Sequence, residues 1–289
     1  MIDPFVEHRN LLFTVAYEML SSAADAEDVV QETWLRWADV DQSEVRDPRA
    51  YLVRIVTRQA LNRMRTLERR RETYVGPWLP EPLFTTSDVA DDVELADSVS
   101  TAMLMVLETL RPTERAVFVL REVFGFEYAE IAAAVDKSEP AVRQIASRAG
   151  KHVQARRPRV TPSDDTDAVL ERFLTAAGGG DLQALMDVLA PDVVMFSDGG
   201  GLKQAALRPI TGRDKVLRWL AGVLGKDQGE VSVDTAVVNG QPAVRFFLDG
   251  VLDVVGTVRF EAGLVTQMYL VRNPQKLTRA VGDGVRLSR

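Results

Sequence analysis

Residues 113–157 constrain the fold more than any other stretch, because they carry the start and stop signals of two helices joined by a short turn. The Ala-rich segment 128–135 is typical of a short helix, and a second helix should run over about residues 139–151. Ser138 ends the turn and can cap the second helix, and Pro140 is tolerated in its first turn. We therefore predict a helix-turn-helix.

The second helix of this motif has one apolar and one polar face. Apolar residues recur at three- and four-residue spacing, which predicts a buried stripe. On the opposite face, arginine and glutamine can form bidentate hydrogen bonds with base edges, and basic side chains can neutralise phosphate. The candidate DNA-binding residues are Ser138, Glu139, Pro140, Arg143, Gln144, Ser147, Arg148 and Lys151. An ordinary helical hairpin with a solvated face is the alternative.

Composition excludes several kinds of chemistry. The 289 residues are enough for two or three domains, and they contain no cysteine, which excludes disulfides, thiolate catalysis and cysteine-bound zinc. With only His8 and His152, a histidine-rich metal site is also excluded, so we expect no metal and no cofactor. No apolar run reaches membrane-spanning length, and the first residues do not resemble a signal peptide. We expect a cytoplasmic protein with no membrane partner.

Charge is unevenly distributed along the chain, although the formal net charge is -7. Between Arg46 and Arg71 there are nine arginines, opposed only by Asp47 and Glu68. The segment 25–44 is instead acidic, with a single arginine. Since solvated faces usually mix signs, the two segments predict two partners, DNA for the basic one and a basic protein surface for the acidic one.

Residues 3–72 have the periodicity of three helices. In the second, residues 25–37, Val29, Val30, Trp34 and Trp37 should point inward. Its outer face is Asp28, Gln31, Glu32 and Leu35. The third helix opens at Asp47-Pro48 and has arginines on its outer face. Its candidate DNA-binding residues are Arg49, Arg54, Arg58, Asn62 and Arg65.

Residues 73–97 break the helical rhythm with three prolines and a glycine. Trp78, Leu79, Leu83 and Phe84 are too apolar for a solvated tether, so we predict a linker that docks on another surface, which could belong to the protein's own domains. Helices return over residues 98–124 and lead into the helix-turn-helix. Residues 158–166 are a second linker.

From residue 167 the pattern is that of an α+β domain. Two helices around a Gly-rich bend are followed by strand-like segments that break at Gly, Asn and Asp turns, with a helix predicted over residues 211–224. We predict a curved antiparallel sheet that wraps a helix and encloses a pocket. Gly178 to Gly180 should end a helix rather than bind phosphate, because no strand precedes them.

Several of these segments resemble extracytoplasmic-function (ECF) sigma factors. Residues 3–72 are similar to the promoter-melting domain of that family, and residues 98–157 to its minus-35-binding domain. The segment DAEDVVQETWLRW resembles the part that grips the β′ clamp helices of RNA polymerase, and RAYLVRIVTRQALNRMR resembles the minus-10 reader. The family often has Asn and Asp where this chain has Arg58 and Asn62, which affects the expected base preference.

The C-terminal domain resembles the SnoaL-like, nuclear-transport-factor-two-like fold. GPWLPEP at 76–82, DGGG at 198–201 and NPQKL at 273–277 match signatures of the sigma subgroup that carries this fused domain. The resemblance implies domains at 1–72 (region 2), 98–157 (region 4) and 167–289 (SnoaL-like).

The resemblance also implies a function. It predicts a sigma subunit that binds core RNA polymerase, through the β′ clamp helices and the β subunit, and promoter DNA, without catalytic residues, and that is regulated by its own SnoaL-like domain, whose pocket could hold a small ligand. The candidate polymerase-binding residues are Asp28, Gln31, Glu32 and Leu35. The candidate regulatory contacts are Trp78, Leu79, Pro80, Glu81, Pro82, Asp198, Gly199, Gly200, Gly201, Asn273, Pro274 and Lys276, the last expected to be exposed.

Two alternatives remain. A one-component regulator would bind a ligand in the C-terminal pocket and an operator through the helix-turn-helix alone. A C-terminal enzyme such as a cyclase or isomerase would need a carboxylate base. Its candidate groups are Asp198, Asp249 and Asp253, with Tyr269 as a proton donor.

Overall fold

The computed structural model of the chain describes residues 3–86, 93–157, 166–178, 181–224, 229–278 and 287–288. Contacts divide the chain into two compact units. The first comprises residues 1–73, 85–157 and 285–289, and the second comprises residues 74–84 and 158–284. The predicted linker 73–97 is thus divided, because residues 74–84 join the unit of the C-terminal domain. The predicted linker 158–166 lies outside the described residues except for Thr166.

Three helices begin the first unit, α1 at Pro4–Leu20, α2 at Ala23–Ala38 and α3 at Pro48–Arg71, with a 3-10 turn at Gln42–Glu44. Local signals set their ends. The Asp3 carboxylate accepts the Phe5 N–H at 2.8 Å, and Ser21 ends α1 in the left-handed conformation. The apolar faces of the three helices pack together into a core.

In α2 the predicted inner face is correct at Val29, Val30 and Trp37 and wrong at Trp34. Trp37 is 1% exposed, and its indole N–H donates to Asp3 Oδ1 at 3.2 Å. Trp34 is 46% exposed. It lies three residues before Trp37, which turns its side chain from the buried face of the helix towards the exposed face that carries Leu35. The outer face of α2 is therefore more apolar than the sequence pattern indicates.

The helical segment 98–124 is divided into shorter elements: α4 at Val93–Val99, α5 at Thr101–Leu107, α6 at Pro112–Phe118 and a π-helical turn at Val119–Val123. Ser100 caps α5 through a 3.2 Å bond from Met103 N–H. The helix-turn-helix follows as α7 at Tyr128–Val135 and α8 at Glu139–Gln154. Ser138 is the N-cap residue of α8, as expected, although its side chain makes no capping hydrogen bond.

The two helical parts of the first unit pack through a buried arginine. Arg115 of α6 is 1% exposed, and its guanidinium donates to the Glu18 carbonyl at 2.8 Å and to Ser21 Oγ at 2.6 Å. Glu108 accepts a third bond at 2.6 Å. Because carbonyls at the end of α1 lack helical partners, this arginine satisfies groups that would otherwise be buried unpaired.

The second unit contains a six-stranded sheet of order β2-β1-β6-β5-β4-β3. Its strands are β1 at Leu189–Asp198, β2 at Ile210–Thr211, β3 at Val231–Val238, β4 at Gln241–Leu248, β5 at Val251–Glu261 and β6 at Leu264–Val271. The strand pairs are antiparallel as predicted, except that β6 runs parallel to β1 and makes the sheet mixed. Three hairpins link β3 to β6. Their turns, such as Asn239-Gly240 at φ 55° and 67°, have the two positive φ angles of tight hairpin turns.

Helices cover this sheet, namely α9 at Thr166–Gly178, α10 at Leu182–Val188 and α11 at Arg213–Leu224, with a short α12 at Pro274–Leu277. Residues 210–211, just before α11, are a short strand. The core between helices and sheet includes Leu185, Val193, Met195 and Val216, all fully buried. Gly178 ends α9 as predicted, while Gly179 and Gly180 lie outside the described residues. Over the part of the chain that the structure describes, no helix is long and apolar enough to cross a membrane.

Candidate functional site

The polar face of α8 is open to solvent. Of its eight candidate residues only Glu139 is half-buried, and the other seven are exposed. The apolar stripe beneath them, Val142, Ile145, Ala146 and Ala149, is buried as predicted. Arg143 pairs with Glu139 one turn earlier, and its guanidinium lies 4.4 Å from the centroid of the Tyr128 ring. The face thus offers exposed hydrogen-bond donors, of which Arg143 contacts Glu139 and Tyr128 and Arg148 lies 3.8 Å from Glu114.

The candidate face of α3 divides into two halves. The half nearer the N-terminus contacts α7 and the turn before it, since Arg58 donates to the carbonyls of Ala133 at 2.9 Å and Ala134 at 3.4 Å. Arg49 lies over the Phe126 ring at 4.4 Å. These carbonyls are at the negative end of the α7 dipole, which favours a guanidinium.

The other half of the α3 face is exposed. There Arg65 donates to Asn62 Oδ1 at 3.2 Å. In the half nearer the N-terminus, Arg54 is half-buried, and its guanidinium lies 5.0 Å from the centroid of the Tyr51 ring. The first DNA-reading candidate helix is therefore partly covered by the helix-turn-helix in this conformation.

The four candidate residues of the acidic face on α2 are exposed. Arg63 of α3, which does not belong to any predicted site, lies 3.4 Å from Asp25, Asp28 and Glu32. Trp34 adds an apolar ring to this surface. The face therefore combines carboxylates with an exposed apolar pair, Trp34 and Leu35.

The three signature motifs meet around one buried carboxylate. Asp198 is 0% exposed. Its Oδ1 accepts bonds from the Tyr74 hydroxyl at 2.5 Å and Gly200 N–H at 3.0 Å, and its Oδ2 accepts from Leu79 N–H at 2.9 Å and Lys276 Nζ at 2.7 Å. Lys276 also donates to the Leu79 carbonyl at 2.5 Å. Asp198 and Lys276 together hold both backbone groups of one linker residue.

We call Tyr74, Leu79, Asp198, Asn273 and Lys276 the linker clasp. Asn273 Nδ2 donates to the Tyr74 hydroxyl at 2.8 Å. The expectation that Lys276 is exposed is wrong: it is 7% exposed, and its ammonium lies 3.5 Å from the centroid of the Trp78 ring. Burial, followed by the hydrogen bond to Asp198 and its charge, raises the pKa of the Tyr74 hydroxyl.

The Gly-rich loop beside the clasp allows this approach. A Cβ on Gly200, whose φ is +59°, would lie 2.3 Å from Asn273 Nδ2 and 3.0 Å from the Tyr74 hydroxyl. On Gly199 it would lie 2.2 Å from the Lys203 carbonyl. Gly201 is looser, with 3.2 Å to Val75 Cβ. Pro274 begins α12 directly after Asn273, which caps that helix through a 3.0 Å bond from Gln275 N–H.

The rest of the linker also packs on this domain. Pro80, Glu81 and Pro82 are buried. Leu83 and Asn239 exchange hydrogen bonds of 3.1 and 2.8 Å, and Phe84 forms an antiparallel bridge with Val238. The sequence predicted a turn at Asn239 but not its contact with the linker, and no pattern in the sequence indicated the role of Tyr74.

The side chains of the candidate catalytic groups in the second unit are hydrogen-bonded to other residues. Asp249 accepts the Glu230 N–H at 3.0 Å, and the Tyr269 hydroxyl donates to Gln267 at 2.5 Å. Asp253 binds Lys203 at 2.8 Å and also Arg272. Burial alone would raise the pKa of Asp253, but the hydrogen bonds from Lys203 and Arg272 outweigh it and lower this pKa. Within the described ranges, no group of three His, Cys, Asp or Glu side chains could hold a metal ion.

The helix-turn-helix, the basic and acidic helices and the α+β domain define a class of protein, a transcription initiation factor with a fused accessory domain. Family models match as follows: "Sigma-70 region 2" over residues 5–70, "Sigma-70, region 4" over residues 100–153 and "SnoaL-like domain" over residues 170–268.

Full-length relatives agree with these matches. The ECF RNA polymerase sigma factor SigJ of Mycobacterium tuberculosis is 37% identical over 96% of this chain and 93% of its own length. The probable ECF RNA polymerase sigma factor SigI of the same species is 32% identical, over 93% of this chain and 92% of its own. The crystal structure of M. tuberculosis SigJ superposes with a TM-score of 0.77 and 34% identity, over 95% of this chain and 97% of that one. The chain belongs to the ECF sigma factor family, as the resemblance predicts.

Proposed function

We propose that this chain, a sigma subunit that directs core RNA polymerase to promoters, is regulated by its own SnoaL-like domain through the linker clasp. The observation that carries the proposal is a pair of hydrogen bonds to the backbone of Leu79: Asp198 accepts its N–H, and Lys276 donates to its carbonyl. Leu79 lies in the covalent connection between the two DNA-reading regions. A domain that holds this connection can control how the two regions are presented to polymerase and DNA.

The clasp is strong enough to act as a regulator and local enough to be released. Removing one partner of a buried ion pair costs about 3–5 kcal/mol, because the remaining charge stays buried. The domain is tethered to the chain that it holds, so its effective concentration is on the order of millimolar and release is readily reversed.

We assign the DNA contacts to the two basic surfaces. The exposed face of α8, centred on Arg143 and Gln144, reads the minus-35 element, and the α3 face reads the minus-10 element. The exposed Arg58 is bonded to carbonyls of α7, so its guanidinium has to release them before it can contact DNA. The exposed Asn62 and Arg65 need no such change.

The acidic face of α2 is assigned to core polymerase. Changing both Asp28 and Glu32 to Lys reverses the charge of this face. The variant should fail to pull down core enzyme, while its circular dichroism spectrum stays the same. The matched control is Glu7→Lys with Glu122→Lys, two carboxylates on other elements of this unit. Normal pull-down by the Asp28 and Glu32 variant would contradict the assignment.

We further propose that the SnoaL-like domain is not an enzyme. Supporting this, the carboxylates of Asp198, Asp249 and Asp253 each bind a different set of donors. General acid–base catalysis by two carboxylates requires a pair in one site, and these three carboxylates are held by separate sets of donors.

Reconstituted transcription with core polymerase tests the regulatory proposal. Asp198→Ala and Trp78→Ala should each change promoter-dependent transcription several-fold, and removal of residues 160–289 should do so as well. Asp192→Ala, an exposed carboxylate on the same strand as Asp198, is the control and should match the unmodified chain. Equal transcription by all variants would rule out regulation by this domain, and a strong promoter footprint without polymerase would favour a one-component regulator.

A further inference from the structure

A cavity of about 150 Å³ lies inside the second unit, between α11 and the inner face of the sheet. Its lining includes Phe173, Trp219, Leu220, Phe246 and Met268, and all but two of its lining residues are apolar or glycine. An apolar cavity of about this size can hold a benzene-sized molecule. No residue of the linker clasp contributes to its lining.

Two charged side chains, Asp253 and Arg272, also line this cavity. They are bonded to each other, and Lys203 binds Asp253 from the other side. The three groups together carry one net positive charge. Arg272 Nη1 donates to the Gln204 carbonyl at 2.9 Å, whereas its Nε–H is buried and has no acceptor among the described residues. Because a buried donor without a partner costs about 1–3 kcal/mol, this end of the cavity favours an acceptor, and an anionic one most.

We infer that the cavity binds a small monocarboxylic acid with an apolar body about the size of a benzene ring, its carboxylate against Arg272. The apolar walls bury the body of the ligand, and the net positive charge selects a carboxylate over an alcohol or an amine. The described residues offer this class of ligand a preformed apolar site, and the Arg272–Asp253 pair at one end would fix the direction of its carboxylate.

Arg272 connects the cavity with the linker clasp. Arg272 directly follows β6 and has its side chain at the cavity, while its backbone N–H donates to the Asp198 carbonyl at 2.7 Å. Asn273 of the clasp is its neighbour in the chain. Since coupling between two sites is reciprocal, ligand binding and clasp closure should each alter the other. This coupling rests on the proposed function, whereas the binding site does not.

Isothermal titration calorimetry of the full chain tests the site without polymerase or DNA. Benzoate should bind with a stoichiometry of one, at least about tenfold more tightly than benzyl alcohol or benzylamine, which have bodies of similar size. No saturable binding of benzoate up to millimolar concentrations would overturn the proposal. Equal affinity for benzylamine would overturn the anionic assignment.

Variants locate the site. Arg272→Met should weaken benzoate binding about tenfold, and Asp253→Asn, which removes the competing negative charge, should leave it unchanged or strengthen it. Arg218→Met, an exposed arginine of α11, is the matched control, and an equal loss there would contradict the assignment. Val258→Phe fills the cavity and should abolish binding of benzoate and benzyl alcohol alike.

The coupling between the cavity and the linker clasp is measured separately, also by isothermal titration calorimetry. Asp198→Ala opens the clasp and should change the benzoate Kd at least about threefold if the two sites share the end of β6. An unchanged Kd would overturn the coupling. Transcription that does not respond to Asp198→Ala would instead contradict the proposed function, so the two failures can be told apart.

Discussion

The polar face of α8 and the linker clasp are both made of charged and hydrogen-bonding side chains, but they stand in opposite relations to water. Arg143 is exposed, and its contacts are with Glu139 on its own helix and with the Tyr128 ring of the preceding helix. Asp198 and Lys276 are buried, and each binds groups from distant parts of the chain. The exposed set remains available to an external partner, whereas the buried set is already used inside the protein.

This difference has an energetic consequence. An exposed ion pair contributes about 0–1 kcal/mol, because water solvates the separated charges almost as well. A buried pair is costly to break from one side, because the other charge loses its only compensation. Substitutions on α8 should therefore affect recognition without affecting the fold, while substitutions in the clasp should affect stability first.

The largest expected effect is that of Lys276→Met. It leaves the Asp198 carboxylate buried without its cationic partner and should lower the free energy of unfolding of the second unit by about 3–5 kcal/mol. Guanidinium chloride unfolding, followed by circular dichroism, measures it. Lys215→Met, an exposed lysine of α11, should change stability by less than about 0.5 kcal/mol. Similar values for the two would show that the clasp is not a buried ion pair in solution.

Gly200→Ala should destabilise the second unit by about 1–3 kcal/mol, because the new Cβ meets Asn273 and the backbone has a positive φ. Gly222→Ala is the matched control in the interior of α11, where an added Cβ has nothing within 4 Å. That variant should be stabilised by up to about 1 kcal/mol, since alanine favours helix over glycine. Opposite signs in thermal unfolding support the close approach at the loop, and two equal losses would argue against it.

On α8, Arg143→Ala should cost about 1–3 kcal/mol of discrimination at one promoter position. Lys151→Ala should instead weaken binding to all sequences alike, as loss of a phosphate contact does. Holoenzyme binding to a set of single-base promoter variants separates the two patterns. The melting temperature should not change in either variant, and unaltered promoter preference in Arg143→Ala would mean that another face reads the element.

The smallest expected effect concerns pH. The folded state raises the pKa of Tyr74 above its ordinary value of 10.0, so the neutral hydroxyl stabilises the fold below about pH 10, and this stability is lost as the pH rises further. The free energy of unfolding of the unmodified chain should therefore fall more steeply above pH 10 than that of Tyr74→Phe, by about 1 kcal/mol. Tyr128→Phe, in the other unit, is the control. Parallel curves for Tyr74→Phe and the unmodified chain would contradict the raised pKa.

Local elements were predictable because their signals are local. The short helix of the helix-turn-helix was predicted at residues 128–135, as observed, and α8 extends only three residues beyond its predicted end. The hairpin turns at Asn239-Gly240 and Asp249-Gly250 follow from residues that accept a positive φ. The lack of cysteine and the presence of only two histidines limit the available chemistry through composition alone.

Errors arose where one pattern fits two environments. Trp34 has a spacing compatible with the inner face of α2, yet it is exposed beside Leu35. The strand pattern cannot tell whether β6 pairs with β1 in parallel or antiparallel, because strand direction depends on how the intervening chain returns. Arg58 is exposed, as the periodicity of α3 predicts, but the pattern does not reveal that carbonyls of α7 bind its guanidinium.

The sequence by itself determined the domain order, the exposed polar face of α8 and the motifs that mark the linker and its partners. Only the tertiary structure decided that Lys276 is buried and that Asp198 binds Leu79. It also decided that Tyr74 belongs to the linker clasp and that Asn239 binds the linker at Leu83. The physical reason is that a helical or strand period records which side of an element faces water, over a few residues. A buried polar network is satisfied by groups more than a hundred residues apart, such as Leu79 and Asp198, and the fold alone brings them within hydrogen-bonding distance.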